Sequence, residues 1–238
     1  MRVTLYGAES EGLRPLVEAQ PSLQLVEEDP DVVVCFGGDG TLLAAELRWP
    51  SVPKVPLRNS RRGIRCIPDP PAEVLERLAA DTLVRHKHLK LECSVKHESP
   101  DDADHVLMAI NEFSVHKGRT NASVRFRMWF DERPYRTDGE YEIIGDGFVV
   151  CTPFGSTAYF NQITRGLFWT GIGVAFMYTS EHTNHLVLPE DTVVRARITR
   201  GPAVLAHDNS SEYIDLNAGD ELLVKRSQQC AVLLTPDE

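Results

Sequence analysis

Apolar runs and polar stretches alternate along the first third of the chain with two different periods. Residues 3–6 predict a strand, and residues 10–19 predict a helix with Ser10 as its N-cap. The apolar run at residues 32–36 predicts a second, buried strand. A glycine-rich turn follows it, and then a helix that ends near Trp49 and Pro50. Residues 52–57 predict another extended segment. Residues 71–80 carry Val74, Leu75 and Leu78 at helical spacing, with Pro70 and Pro71 placed for a helix start. Strand and helix in alternation imply a parallel sheet with helices on its faces.

The period changes near His88. Residues 89–95, 123–130 and 193–198 alternate apolar and polar side chains, which is the signature of half-buried antiparallel strands. Further strands are expected at 203–206, 213–216, 221–225 and 231–234. The predicted fold is therefore an α/β N-terminal domain with a Rossmann-like parallel sheet, residues 1–85, and a β-rich C-terminal domain of β-sandwich type, residues 86–238. The switch itself falls between Asp81 and His88. The crevice between two such layers is a natural ligand site.

Composition narrows the class. A hydrophobic fraction of 42% and a charged fraction of 25% suit a soluble globular protein, and a net charge of −10 argues against nucleic acid as a partner. Five scattered cysteines without CxxC spacing argue against a zinc site or a disulfide framework and suggest small buried residues in strands. No stretch approaches the ~20 apolar residues of a membrane helix, so no membrane partner is expected. The opening residues read as a strand rather than a signal peptide, and a reducing cytoplasm is the expected location.

Three clusters carry candidate chemistry. Gly37-Gly38-Asp39-Gly40-Thr41 lies between the second strand and its helix. Its glycines permit a tight turn, and the helix N-terminus favours phosphate. A carboxylate in such a turn, Asp39, suggests a hydroxyl or a metal to act on, hence phosphoryl transfer; the competing reading is a helix cap. Asn111-Glu112 ends an apolar run and offers an amide and a carboxylate to the vicinal hydroxyls of a ribose, or Glu112 is simply an exposed strand-end acid. Residues 145–159, Gly-Asp-Gly-Phe-Val-Val-Cys-Thr-Pro-Phe-Gly-Ser-Thr-Ala-Tyr, frame a strand between two turns rich in small and hydroxylated residues. Asp146 there is a nucleotide contact or a turn former, and Tyr159 stacks on a base or packs in the core.

In this order and with this content, the three clusters resemble the NAD kinase family, whose members carry GGDGT, an Asn-Glu pair and GDG-x4-TPTGSTAY. The long third motif departs at Phe154, where the family usually has Thr. The resemblance covers most of the chain and implies a two-domain fold of the NAD kinase type, which leaves room for the last residues to return to the first domain. It implies transfer of a phosphoryl group from ATP, or in some members polyphosphate, to the 2′-hydroxyl of the adenosine ribose of NAD, with Mg2+ carried by the ATP. Carried over by position, Asp39 acts on that hydroxyl and Gly37, Gly38, Gly40 and Thr41 cradle phosphates. Asn111 and Glu112 bind the ribose, and Asp146 meets the nicotinamide half. Ser156, Thr157, Ala158 and Tyr159 line the dinucleotide pocket. A homodimer or homotetramer formed through the β-rich part is expected.

The chain also departs from the family. After Tyr159 the family continues in a turn resembling SLSAGGP, where this chain has Phe160-Asn161-Gln162-Ile163-Thr164-Arg165-Gly166. Larger side chains there are expected to narrow, close or retune the pocket, and they motivate an alternative reading as a catalytically impaired protein that binds NAD or NADP and regulates. A stretch resembling GxNxGxxGFL is replaced around Asn59 by a segment with Arg58, Arg61, Arg62 and Arg65. It is either a phosphate clamp, Arg62 included, or a solvated basic loop. Asp208 stands where the family has a DGQ turn and is a candidate substrate contact. His182 and His185 lack a fixed third ligand and are read as surface or core residues, His116 and Lys117 as a polar turn, and Trp129 and Trp169 as packing residues.

Overall fold

The computed structural model describes residues 1–61, 63–136 and 140–237; Arg62 lies outside them. The chain divides into two compact units, residues 1–88 with 229–238, and residues 89–228.

In the first unit, β1 (Arg2–Tyr6), β2 (Gln24–Leu25), β3 (Val32–Gly37) and β4 (Lys54–Arg58) form a parallel sheet in the order β4-β3-β1-β2. The alternation of β3 sorts its side chains. Val32 and Val34 face a core shared with Val17 of α1 (Arg14–Glu18) and with Val74, Leu75 and Leu78 of α3 (Pro71–Ala79). Val33 and Cys35 point to the opposite face. The helix α2 (Asp39–Arg48) follows β3, packs on β3 and β4, and buries Leu42, Leu43 and Ala45. Lys54, wholly buried at the start of β4, pairs with buried Glu46 of α2 and donates to the Trp49 carbonyl. Pro71 opens α3 with Pro70 at the N-cap, as its sequence position indicates. The expected helix at 10–19 is instead a 3-10 turn, Ser10–Leu13, followed by the short α1. Ser10 does not cap it, since its hydroxyl is spent on the Gly7 carbonyl at 2.8 Å.

The second unit is a sandwich of antiparallel strands. Following β5 (Val84–Lys96), β6 (His105–Ala109) and β7 (Glu112–Lys117) come β8 (Val124–Phe130), β9 (Arg133–Pro134), β10 (Ile143–Gly145) and β11 (Gly147–Cys151). Beyond a single short helix, α4 (Tyr159–Thr164), lie β12 (Ile172–Met177), β13 (His185–Leu188), β14 (Val194–Arg200), β15 (Ala203–His207), β16 (Ile214–Leu216) and β17 (Glu221–Thr235). One layer runs β10-β8-β14-β17, with β5 paired to β6; the other runs β13-β12-β11-β7-β15-β16. Inward residues of both layers share a core in which the rings of Phe126 and Phe148 lie 4.7 Å apart. The two strands expected at 221–225 and 231–234 are one, β17, whose residues from 229 onward belong to the first unit, with Leu233 opposite Lys54 of β4. Among the described residues, no helix is long and apolar enough to cross a membrane.

Candidate functional site

The Gly37-to-Thr41 turn joins β3 to α2. Gly38 is the N-cap of α2 and Asp39 its first residue, so Asp39 does not cap the helix. A side chain at Gly37 has no room, because its Cβ would fall 2.2 Å from the Thr41 hydroxyl that folds back over it. The Asp39 carboxylate reaches instead to the segment after β4. Its Oδ2 accepts the Ile64 N–H at 3.1 Å, and its Oδ1 accepts the Arg65 N–H at 2.9 Å and the Cys66 thiol at 3.6 Å. That segment is stitched at both ends. Arg58 N–H donates to Ile67 O and Ile67 N–H to Pro56 O, while Asn59 N–H donates to Gly37 O at 2.8 Å. Asn59 also donates through its side-chain amide to Glu9 at 2.8 Å. The basic loop thus folds over the glycine turn of its own unit. Arg61 is exposed on it, and burial draws the Arg65 guanidinium below its ordinary value against the pull of Asp39.

In the second unit, Asn111 and Glu112 sit at the start of β7. Asn111 is buried, and its carbonyl accepts the Thr152 N–H at 2.9 Å. The buried Thr152 hydroxyl donates to Ile110 O at 2.5 Å and accepts the Gly155 N–H at 3.0 Å. A Cβ on Gly155 would lie 2.3 Å from Asn111 O, so this glycine lets the third motif lie flat against the second. Asp208, expected as a substrate contact, turns inward. Its Oδ2 accepts the Ile110 N–H at 2.8 Å, and its Oδ1 accepts those of Asn111 at 2.8 Å and Glu112 at 3.2 Å. It holds the Asn-Glu pair rather than presenting a free carboxylate.

Glu112 is half-buried, and its Oε2 is enclosed with no hydrogen-bond partner among the described residues. Burial first, then the charge of Asp208, pushes its carboxyl up to about 8. Burial pushes Asp208 up to about 6, against the lowering effect of its three backbone donors. Glu112 is therefore largely neutral at physiological pH and holds a proton it can donate. A folded pKa above the unfolded one means that the contribution to stability is present below about 4.5 and is lost as pH rises through about 8. Glu112→Gln is expected to flatten that loss, which amounts to at most about 1.4 kcal/mol per pH unit. Urea unfolding at a series of pH values measures it, and parallel wild-type and variant curves would contradict it.

The other predicted residues divide by what holds them. Ser156 is wholly buried and its hydroxyl serves the turn, at 2.8 Å from Pro153 O and 3.2 Å from Phe168 O. Thr157 and Ala158 are half-buried beside it. Tyr159 opens α4 and stacks on His116 at 5.7 Å between ring centroids, with 17° between planes. Asp146 pairs with Lys117 at 2.8 Å. His116 and Lys117 are the end of β7 and not a turn; they flank two motif residues. The even spacing of His116 from Glu112 and Ser114 is the available signal for it, since residues 112, 114 and 116 share one face of a strand. Gln162 and Arg165 both face one cavity, of about 490 Å3, which they line with Tyr159, Ile163 and Tyr178. Arg165 occupies a left-handed position at φ 59°, a conformation that favours glycine. Trp169 is exposed and not a packing residue, whereas Trp129 lies under the Arg195 guanidinium at 4.0 Å.

Among the described residues no three His, Cys, Asp or Glu side chains gather to hold a metal ion. Mg2+ bound with nucleotide phosphates keeps several waters and needs few protein oxygens.

No family model matches the chain. The chain is 26% identical over 231 residues to the NAD kinase of Acidithiobacillus ferrooxidans, which covers 92% of this chain and 75% of that protein. It is 28% identical over 218 residues to the NAD kinase of Methylibium petroleiphilum, covering 87% of this chain and 70% of that one. Its fold matches that of yeast NADH kinase complexed with NADH with a TM-score of 0.85 at 17% identity, over 100% of this chain and 84% of the other. It also matches an NAD kinase from Archaeoglobus fulgidus in complex with ATP, with a TM-score of 0.79 at 17% identity, over 100% and 94% of the two chains.

Proposed function

We infer that this chain, a distant member of the NAD kinase family, transfers the γ-phosphoryl group of ATP to the 2′-hydroxyl of the adenosine ribose of NAD and so makes NADP. The observation that carries the reading is Glu112, a desolvated acid with an unanswered oxygen beside Asn111, as a bound ribose diol would require. In this reading Asn111 and Glu112 hold the ribose, and the turn that ends in Tyr159 lines the dinucleotide pocket. Asp146 with Lys117 meets the nicotinamide half, and Gly37, Gly38, Gly40 and Thr41 receive the phosphates.

The 2′-oxygen forms a bond to the γ-phosphorus, and the bond from that phosphorus to the bridging oxygen breaks with its electron pair leaving on ADP. The hydroxyl proton passes to Asp39. A ribose hydroxyl is a weak nucleophile at neutral pH, so an accepting carboxylate helps, while alignment and charge stabilisation supply the larger part. Magnesium bound to the triphosphate neutralises its oxygens. We place the reaction in the cytoplasm and expect a homodimer or homotetramer, which light scattering tests.

A coupled assay for NADP formation, with ATP or polyphosphate as donor and beside calorimetric titration with NAD, tests the assignment. Turnover supports it; binding without turnover across donors and metals would make the chain a regulator, and neither would discard both readings. Arg61 and Arg62 of the loop are assigned to the donor phosphates. The Arg61→Ala, Arg62→Ala double variant is expected to raise the apparent KM for ATP or polyphosphate about tenfold, equivalent to about 1.4 kcal/mol. An unchanged KM for both donors discards that clamp.

A further inference from the structure

The carboxylate of Asp39 is engaged unequally. A carboxylate oxygen has two lone pairs to offer. Oδ1 has both answered, by the Arg65 N–H and the Cys66 thiol, while Oδ2 accepts one donor among the described residues, the Ile64 N–H. We propose that Cys66 is a positioning residue of the phosphoryl-transfer site: with the Arg65 amide it saturates Oδ1 of Asp39 and leaves Oδ2 as the oxygen that receives the proton of the acceptor hydroxyl. The proposal rests on the reading of Asp39 as the proton acceptor.

Three observations support it. Cys66 is buried, and its neighbour Ile67 is anchored to β4 by two backbone hydrogen bonds, so its sulfur is held in place. The thiol has to keep its proton in order to donate, and burial together with the charge of Asp39 pushes it up to about 12. Both donors to Oδ1 come from consecutive residues, so one rigid turn sets the roll of the carboxylate about its axis. A thiol is a weak donor. Its expected contribution is orientation, and the effect is correspondingly modest.

Cys66→Ala is expected to lower kcat about tenfold, which corresponds to ~1.4 kcal/mol, with KM for NAD and ATP unchanged. Cys66→Ser keeps a donor and should restore kcat. An unchanged kcat in Cys66→Ala overturns the proposal. So does an equal loss in the Ala and Ser variants accompanied only by a lower Tm. The contact is also tested without turnover. Alkylation of Cys66 in the folded protein, followed peptide by peptide by mass spectrometry, should be severalfold faster in Asp39→Asn than in wild type, since the variant removes both the acceptor's charge and its hold on the thiol proton. Equal rates overturn the clamp. A wild-type protein that makes no NADP sinks the kinase reading, while the alkylation rates still decide whether Cys66 holds residue 39.

Discussion

Asp39→Asn should reduce NADP formation by about 10²–10⁴-fold, the range a positioned general base supplies. The substitution keeps size and shape but removes the acceptor for the hydroxyl proton. It also breaks hydrogen bonding on one side of the group. The carboxylate accepts from Ile64 N–H on one oxygen and from Arg65 N–H and Cys66 on the other. Asparagine can satisfy one side only, and its amide then faces a donor on the other. That costs about 1–3 kcal/mol of stability, a loss that must be separated from the chemical one. Calorimetric NAD binding and the urea midpoint, measured on the same preparation, separate them. A variant that binds NAD as wild type does, unfolds slightly earlier and turns over at least a hundredfold more slowly, ~10², is the expected result. Near-normal turnover removes Asp39 from the mechanism. Asp39 is held in place by its three donors, which suits a loose transition state in which alignment outweighs proton abstraction.

The sequence made the strands legible wherever one face of a sheet is buried and the other is not. Residues 123–130 and 193–198 alternate because β8 and β14 send every second side chain into the sandwich core. β12 shows no such alternation. All six of its residues are buried, so Ile172–Met177 is a continuous apolar run with no period to read. β17 was divided in two because its middle residues, including Arg226, Gln228 and Gln229, are exposed and polar although the backbone stays extended. Lys54 was hidden for a different reason. A lysine reads as a surface residue, and the ion pair with Glu46 and the bond to the Trp49 carbonyl make its burial tolerable.

The motifs were legible as chemistry and much less so as geometry. Gly37 and Gly155 stood out as glycines, and the reason is close approach: one admits the Thr41 hydroxyl and the other the Asn111 carbonyl. What could not be read were partners far apart in the chain. Cys66 looked like a small apolar residue, yet its thiol meets a carboxylate 27 positions away. Lys117 looked like part of a turn, yet it neutralises Asp146. Neither residue type nor spacing announces such a pairing, because the fold brings the groups together and each alone has an ordinary reason to be where it is.

Asp208→Asn is the variant expected to disturb the second unit most. One carboxylate accepts three consecutive backbone N–H groups, those of Ile110, Asn111 and Glu112, while the N–H of Asp208 donates to Glu112 O at 3.1 Å. The start of β7 hangs on this residue. In the variant an amide group faces donors that only an oxygen can satisfy, and leaving buried donors unanswered costs about 1–3 kcal/mol each. A total loss of about 3 kcal/mol in urea unfolding is expected, with NAD binding weakened at least tenfold, or ~1.4 kcal/mol. The backbone does not confound the test, since residue 208 sits at φ 44° and asparagine tolerates that region well. Removing the charge has a second, opposite consequence. Asp208 is one of the two causes that raise Glu112, so the variant should titrate Glu112 at a lower pH than about 8 and narrow the window over which stability falls. The two effects have different pH signatures. Lost hydrogen bonds lower the stability curve at every pH, whereas removal of the raised Asp208 carboxyl, up to about 6, and relief of Glu112 above that both flatten its slope. A variant curve that is lower throughout and flatter toward alkaline pH carries both, and one that coincides with wild type, with NAD affinity intact, would leave Asp208 without the anchoring role assigned to it.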